Sequence, residues 1–94
     1  MSLGMLTLHI MLPGCKSLKE KRSRLTPLLA RLHREFNISV AEIDHQDAWQ
    51  ESLLACALVS NDHRYTQRAL QEIPAWLERN MPEISLVEHK IEII

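Results

Sequence analysis

The sequence predicts an α+β fold in which two helices cover one face of a four-stranded sheet. Two segments repeat apolar residues at the three-and-four spacing of a helix that packs on one side. Four other segments alternate apolar and polar residues as strands do. Short, turn-like connections arrange these segments as β-α-β-β-α-β. A chain of 94 residues has room for one such domain.

The first strand is predicted from Met5 to Leu12, where every second residue is apolar. Pro13-Gly14 ends this strand with a turn. Residues 1–4 precede a second methionine, and they are interpreted as an expression leader and left out of the strand. The domain is therefore predicted to span residues 5–94.

The first helix is predicted to start at Ser17, because Ser17 and Glu20 form the S-x-x-E pattern of a capping box. Its apolar stripe has a gap at Lys21 and Arg22, and the stripe consists of Leu18, Leu25, Leu28, Leu29, Leu32 and Phe36. Pro27 either kinks this helix or starts a second one. A single kinked helix is favoured, because the stripe keeps its phase across the proline.

The second half of the chain predicts three strands and one helix. The strand over residues 49–59 is apolar on both faces in its later half, which is typical of the centre of a sheet. Ser60-Asn61-Asp62 supplies candidate N-caps for the second helix, and Asn80 is expected to end it in a left-handed conformation. The other two strands are predicted over residues 38–43 and 84–94.

Two split β-α-β units with right-handed crossovers give a ferredoxin-like sandwich. The antiparallel four-stranded sheet then has the order 4-1-3-2, with both helices on one face. This order places the first and third strands at the centre, and these two strands are also the most apolar. The strand composition and the topology therefore agree.

The composition limits the partners and the compartment. A formal net charge of -1 excludes a polycation that binds nucleic acid or anionic membranes indiscriminately. Cys15 and Cys56 belong to no C-x-x-C pair, which argues against a disulfide framework or a structural zinc site. No apolar run has the length of a membrane span, and no signal-peptide pattern is present. We expect a cytoplasmic protein with no membrane or DNA partner and no cofactor.

Four blocks of the sequence carry a family likeness, namely PGCKSLKEKR at residues 13–22, SVAE at 39–42, QD at 46–47 with WQ at 49–50, and VSND at 59–62. Together they resemble the YlxP-like (DUF503) family of small bacterial proteins of unknown function. The resemblance covers residues 5–94 and implies a ferredoxin-like fold. Family members are commonly encoded beside translation-initiation and ribosome-maturation genes, which implies a role in translation or ribosome maturation.

The sequence departs from the family pattern at two places. Glu51-Ser52 stands where Arg-Ala is expected after the Trp-Gln pair, and Pro27 lies where the family helix usually runs unbroken. The first departure replaces a cation with an anion near the expected functional edge.

The start of the first helix gathers positive charge that folding does not require. Cations at a helix N-terminus oppose the helix dipole, at a cost of roughly a few tenths of a kcal/mol each. Such a cluster beside free N–H groups suits the phosphates of RNA, whereas the alternative is a solvated helix face. The candidate phosphate-binding residues are Lys16, Lys19, Lys21, Arg22 and Arg24, with Glu20 as the nearby anion.

The polar segment after the second strand combines hydrogen-bonding side chains with an aromatic residue. A single-stranded base or a protein partner would suit its four candidate contact residues, Gln46, Asp47, Trp49 and Gln50. The alternative is a turn that bonds to its own backbone while Trp49 covers the core. His45 and its neighbouring aspartates would allow a metal ion, but no second cluster of ligands supports one, and we expect no metal.

The sheet face away from the helices is expected to be apolar. An apolar face of this size should not stay exposed to solvent, so we expect a second copy of the chain or another partner to cover it. The candidate residues of this dimer face are His9, Met11, Leu54, Cys56 and Leu58. An RNA-recognition motif would carry aromatic residues here for base stacking, and the first strand has no Phe, Tyr or Trp. His9 and His89 are interpreted as sheet-surface histidines without a ligand role.

These observations favour a non-enzymatic RNA- or ribosome-associated module. Phosphate contacts would come from the helix start, and base or shape contacts from the polar segment. The alternative is a protein-interaction module that forms a homodimer through its open sheet face and has no nucleic-acid role. We assign no catalytic residue, because no nucleophile, base and orienting group stand at an informative spacing.

Overall fold

The chain forms six elements, which a computed structural model describes over residues 1–94. They are β1 (Ser2–Met11), α1 (Leu18–Phe36), β2 (Ser39–Asp44), β3 (Glu51–Ser60), α2 (His63–Asn80) and β4 (Ser85–Ile93). The sheet has the order β2-β3-β1-β4, and all neighbouring strands are antiparallel. Read from the other edge this is 4-1-3-2, so the predicted ferredoxin-like fold is confirmed.

β1 begins at Ser2, earlier than predicted. Ser2 is buried, and its hydroxyl donates to Thr66 Oγ1 at 3.0 Å. A Cβ atom on Gly4 would lie 2.4 Å from Thr66 Cγ2 and 2.8 Å from Leu70 Cδ1, so α2 packs directly on this part of the strand. Residues 2–4 therefore take part in the sheet, while their interpretation as part of an expression leader stays a prediction.

The core lies between the sheet and the two helices. In β1 the alternation places Leu6, Leu8 and Ile10 on the helix side, where each is 0% exposed. The helices contribute buried aliphatic side chains of their own, among them Leu25, Leu28, Leu32, Leu70, Ile73 and Leu77. Each fully buried aliphatic side chain stabilises the fold by roughly 1.5–3 kcal/mol relative to an exposed one. This layer of contacts leaves the opposite face of the sheet open.

Three residues of β3 lie on the helix side and not on the open face, where we expected them. The antiparallel register sets Leu54 opposite Leu8, which is fully buried. The prediction was therefore wrong for three residues, each at most 5% exposed: Leu54, Cys56 and Leu58. Because β3 is apolar on both faces, its own alternation cannot show which face the helices cover.

The open face is formed by the alternate residues of β1 and β3. His9 and Met11 lie on it as predicted, and both are partly exposed. β3 adds Leu53, Ala55, Ala57 and Val59. His89 pairs with Leu8 and therefore lies on the side of the sheet opposite to His9. The two histidines do not form a pair.

α1 begins at the predicted cap and continues through Pro27 as one helix, which confirms the single-helix prediction. Ser17 Oγ accepts a hydrogen bond from the Glu20 N–H at 3.0 Å. The Glu20 carboxylate accepts from the Lys16 N–H at 2.5 Å, one residue before its partner in an ideal capping box. This backbone hydrogen bond holds the pKa of the Glu20 carboxyl below its usual value.

The two helices end in different ways. Asn37 ends α1 in the left-handed region, at φ 49°. We expected Asn80 to end α2 similarly, but Asn80 is the last helical residue, and its side-chain amide donates to the Trp76 carbonyl at 2.9 Å. Met81 caps α2 instead, because its N–H bonds to the Leu77 carbonyl and its side chain is buried.

Neither α1 nor α2 is long and apolar enough to cross a membrane.

Candidate nucleic-acid interface

The structure brings the basic helix start and the polar turn together around one cleft. α1 and the turn between β2 and β3 (residues 45–50) border this cleft, which has a volume of about 360 Å³ and is called the α1–turn cleft below. Its apolar lining comes from Leu18, Leu25 and Leu29 of α1. Its charged and amide-bearing lining comes from Lys21, Arg22, Glu42, Gln46 and Asp47.

Lys21 fills the gap in the apolar stripe of α1 as a buried cation that is 3% exposed. Its ammonium nitrogen donates to the carbonyls of His45 and Ala48, at 2.6 and 2.7 Å. It also lies 2.9 Å from Glu42 Oε2. These contacts occupy every N–H donor of the ammonium group. Lys21 therefore fastens the turn to α1 and is not free to contact phosphate, which corrects our expectation for this residue.

Glu42 joins the same network from β2. Its Oε2 accepts from the Ser52 hydroxyl at 2.6 Å as well as pairing with Lys21. Ser52 is 0% exposed, and the bond to Glu42 gives its buried hydroxyl a structural partner. Sequence reasoning missed Ser52, because the two partners lie on different strands.

Three of the predicted phosphate-binding cations remain open to solvent, and they are Lys16, Lys19 and Arg22. Arg22 is also part of the lining of the α1–turn cleft. The N–H groups of Leu18 and Lys19 have no hydrogen-bond acceptor, as is usual in the first turn of a helix. The start of α1 thus presents three cations and two free N–H donors on one surface.

Two other predicted contact residues hold loops in place. Arg24 is partly buried, and its guanidinium donates to the carbonyls of Pro13 and Glu83 at 3.1 and 3.3 Å. The side-chain amide of Gln50 donates to the Cys15 carbonyl at 3.1 Å. Both side chains therefore position the loops around the start of α1.

The turn presents its remaining candidate residues in two directions. Gln46 and Asp47 are exposed and line the same cleft as Arg22. Trp49 is 52% exposed and lies outside the cleft lining, so it does not serve as a cover for the core. His45 turns the chain in the left-handed region, at φ 62°.

The cleft therefore combines an apolar wall with polar groups at its border. The leucine side chains suit the face of a planar ring, while Gln46 and Asp47 suit hydrogen bonds to its edge. Arg22 offers a guanidinium that pairs with an anion or stacks on a ring.

Comparison with known proteins places the chain among uncharacterised relatives. A family model described as "Protein of unknown function (DUF503)" matches residues 3–91. The "Uncharacterized protein YlxP" of Bacillus subtilis (strain 168) is 41% identical to this chain over 68 residues. That similarity covers 72% of this chain and 73% of the relative. Neither description names an activity, a ligand or a partner.

Proposed function

The chain belongs to the DUF503 family of proteins of unknown function, and from that premise we propose that it is a non-enzymatic, RNA- or ribosome-associated module in translation or ribosome maturation. One observation carries the proposal. Arg22 lines the same cleft as Gln46 and Asp47, so a cation and two base-edge partners meet at one place.

The start of α1 supplies the contacts to phosphate. Lys16 and Lys19 are exposed on either side of the Ser17 cap, and Arg22 follows one turn later. The free N–H groups of the first turn and the positive end of the helix dipole favour an anion at the same place. Since about three cations contribute, the affinity for single-stranded RNA should fall as the salt concentration rises. A plot of the logarithm of the association constant against the logarithm of the salt concentration should have a slope of about −2.

The α1–turn cleft supplies the contacts to a base. In A-form RNA the bases are stacked and paired, so a base in this cleft would come from a single-stranded loop or end. The Asp47 carboxylate accepts hydrogen bonds and suits the amino and imino groups of guanine or the amino group of adenine or cytosine. The Gln46 amide both donates and accepts, and the leucine wall contacts the ring face.

Fluorescence anisotropy with a mixed-sequence single-stranded RNA tests the proposal. We expect the double variant K19E/R22E to weaken binding by about tenfold or more at low salt, because it reverses two of the three exposed cations. The matched control is R68E/R79E, which reverses two exposed cations on α2 and should leave binding almost unchanged. Equal affinities of the two double variants would contradict the proposal.

Cosedimentation with ribosomal subunits at low salt tests the association with ribosomes. The wild-type protein and R68E/R79E should sediment with the subunits, and K19E/R22E should remain in the supernatant. If instead the basic helix docks an acidic protein, a pull-down from nuclease-treated lysate will still recover that protein, and the chain will not bind RNA.

Self-association through the open sheet face is a second candidate function. Leu3 and Met5 of β1 lie there beside Val59 and Ala57 of β3, and Val59 is 64% exposed. Contiguous apolar surface of this kind usually marks an interaction site. A two-fold interface joins the same surface patch of two copies, so this one apolar patch can supply both sides of a homodimer interface.

Sedimentation equilibrium tests the second candidate. The wild-type chain should sediment as a dimer at micromolar concentration, and M5D/V59D should sediment as a monomer while keeping the circular dichroism of the folded protein. Y65D is the control, because Tyr65 is an exposed aromatic residue of α2 on the other side of the molecule. A monomeric wild-type chain would refute this candidate and leave the RNA proposal intact.

A further inference from the structure

Outside the α1–turn cleft, three metal-ligating side chains meet on the open sheet face. His9 of β1, His45 of the turn and Glu51 of β3 bring their ligand atoms within 4.8 Å of one another. His9 Nε2 lies 2.5 Å from Glu51 Oε1, and His45 Nε2 lies 3.6 Å from the same oxygen. We propose that these three side chains bind a divalent transition-metal ion, with Zn²⁺ as the representative ligand.

The strand register places two of the ligands. His9 pairs with Leu53, and Glu51 pairs with Met11, so His9 and Glu51 are diagonal neighbours on the same face of the sheet. Diagonal neighbours of this kind are within reach of long side chains. Both ligands stand on paired central strands, which hold their backbone positions rigidly.

The third ligand is positioned by the backbone of the turn. The His45 carbonyl accepts from the buried Lys21 ammonium at 2.6 Å, and the His45 N–H donates to Asp44 Oδ1 at 2.7 Å. The left-handed φ of 62° then turns the imidazole toward His9. The two rings lie 5.7 Å apart between centroids, with 30° between their planes. Lys21 thus serves the metal site indirectly, by fixing the residue that carries a ligand.

The chemistry of the three ligands suits zinc better than a hard cation. Two imidazole nitrogens and one carboxylate oxygen are a common zinc set that leaves a fourth position to water, whereas Ca²⁺ and Mg²⁺ prefer oxygen ligands. Tetrahedral zinc holds its ligand atoms roughly 3.3 Å apart. The observed separations bracket this value, so small side-chain rotations would close the site.

Metal binding would replace the His9–Glu51 hydrogen bond with two bonds to the ion. The imidazoles bind in their neutral form, so the ion takes the place that a proton occupies between His9 and Glu51. The three side chains are between 27% and 38% exposed, so the ion has an entry path from solvent.

The test uses the full chain without a histidine tag, freed of metal with a chelator. Isothermal titration with ZnCl₂ should show saturable binding of one ion per chain, and Co²⁺ should give the visible absorption of a low-coordinate site. H9Q and E51Q should each weaken Zn²⁺ binding by at least about tenfold. H89Q is the matched control, because His89 lies on the neighbouring strand and on the opposite side of the sheet.

The folded state of each variant is checked by its melting temperature without metal. Zn²⁺ should raise the melting temperature of the wild-type chain and of H89Q by similar amounts, and those of H9Q and E51Q by clearly less. Absence of saturable Zn²⁺ binding by the wild-type chain up to about 100 µM would overturn the proposal. Equal Zn²⁺ affinity of the wild-type chain, H9Q and E51Q would overturn it as well.

Discussion

The ammonium nitrogen of Lys21 lies 2.9 Å from Glu42 Oε2, where the two side chains are 3% and 19% exposed. The same ammonium bonds to the carbonyls of His45 and Ala48. Through these contacts one residue of α1 fixes both β2 and the turn that follows it. The geometry of the α1–turn cleft, and the position of His45 in the proposed metal site, both depend on Lys21.

Replacing Lys21 should destabilise the fold strongly. K21M leaves the Glu42 carboxylate and two backbone carbonyls without their cation, and breaking one side of a buried ion pair costs about 3–5 kcal/mol. Urea denaturation followed by circular dichroism measures this loss. R22M is the control, because Arg22 is exposed, and its effect should stay within about 0.5 kcal/mol. A loss below about 1 kcal/mol for K21M would contradict the structural role assigned to this lysine.

The role of Lys21 shows where local sequence patterns stop being informative. The capping box at Ser17 and Glu20 predicted the start of α1, because its signals lie within one helical turn. The gap in the stripe suggested a functional cation at Lys21. Its actual partners lie 24 and 27 residues further along the chain, and only the folded turn brings them to α1.

The buried face of a strand could be predicted from the sequence where only one face is apolar, and could not be predicted where both faces are apolar. In β1 the alternation identified the buried face directly, and Leu6 and Leu8 are 0% exposed. β3 is apolar at successive positions, so only its register with β1 decides that Leu54 points to the helices. The same long-range pairing brings Glu51 next to His9, and no local pattern of the sequence indicates that these two side chains meet.

The bond between the Glu20 carboxylate and the Lys16 N–H predicts a dependence of stability on pH. This bond favours the charged form and lowers the pKa of Glu20 in the folded protein from 4.5. A carboxyl with a lowered folded pKa contributes stability above its unfolded pKa, and the contribution disappears as pH falls through the folded value.

The variant E20Q should therefore melt at a lower temperature than the wild-type chain at pH 7. As the pH falls from 7 through the lowered folded pKa of Glu20, the two melting temperatures should converge, because the wild-type carboxyl becomes protonated as well. Thermal melts across this range measure the difference. E72Q provides the control, because Glu72 is an exposed carboxylate on α2, and a convergence of equal size in E72Q would assign the effect to general charge and not to Glu20.

Both thiols should be unreactive in the native protein. Cys15 and Cys56 are 0% exposed, and burial raises the pKa of the Cys56 thiol to about 12. Since the thiolate is the nucleophile, Cys56 has neither the access nor the charge state for alkylation near pH 8. Mass spectrometry after iodoacetamide treatment should find no adduct under native conditions and two adducts in urea. A native adduct on either residue would show that this part of the core opens.

Successive side chains of β3 point to opposite faces of the sheet, which predicts different losses of stability for two adjacent leucines. Leu54 is 0% exposed and lies opposite Leu8, so L54A opens a cavity in the core and should cost about 2–5 kcal/mol. Leu53 is partly exposed on the open face, and L53A should cost less than about 1 kcal/mol in the monomer. Urea denaturation of the two variants at low protein concentration compares them directly. Because the residues are identical in type and adjacent in the strand, the difference measures the direction each side chain faces, and a larger loss for L53A would place the helices on the other side of the sheet.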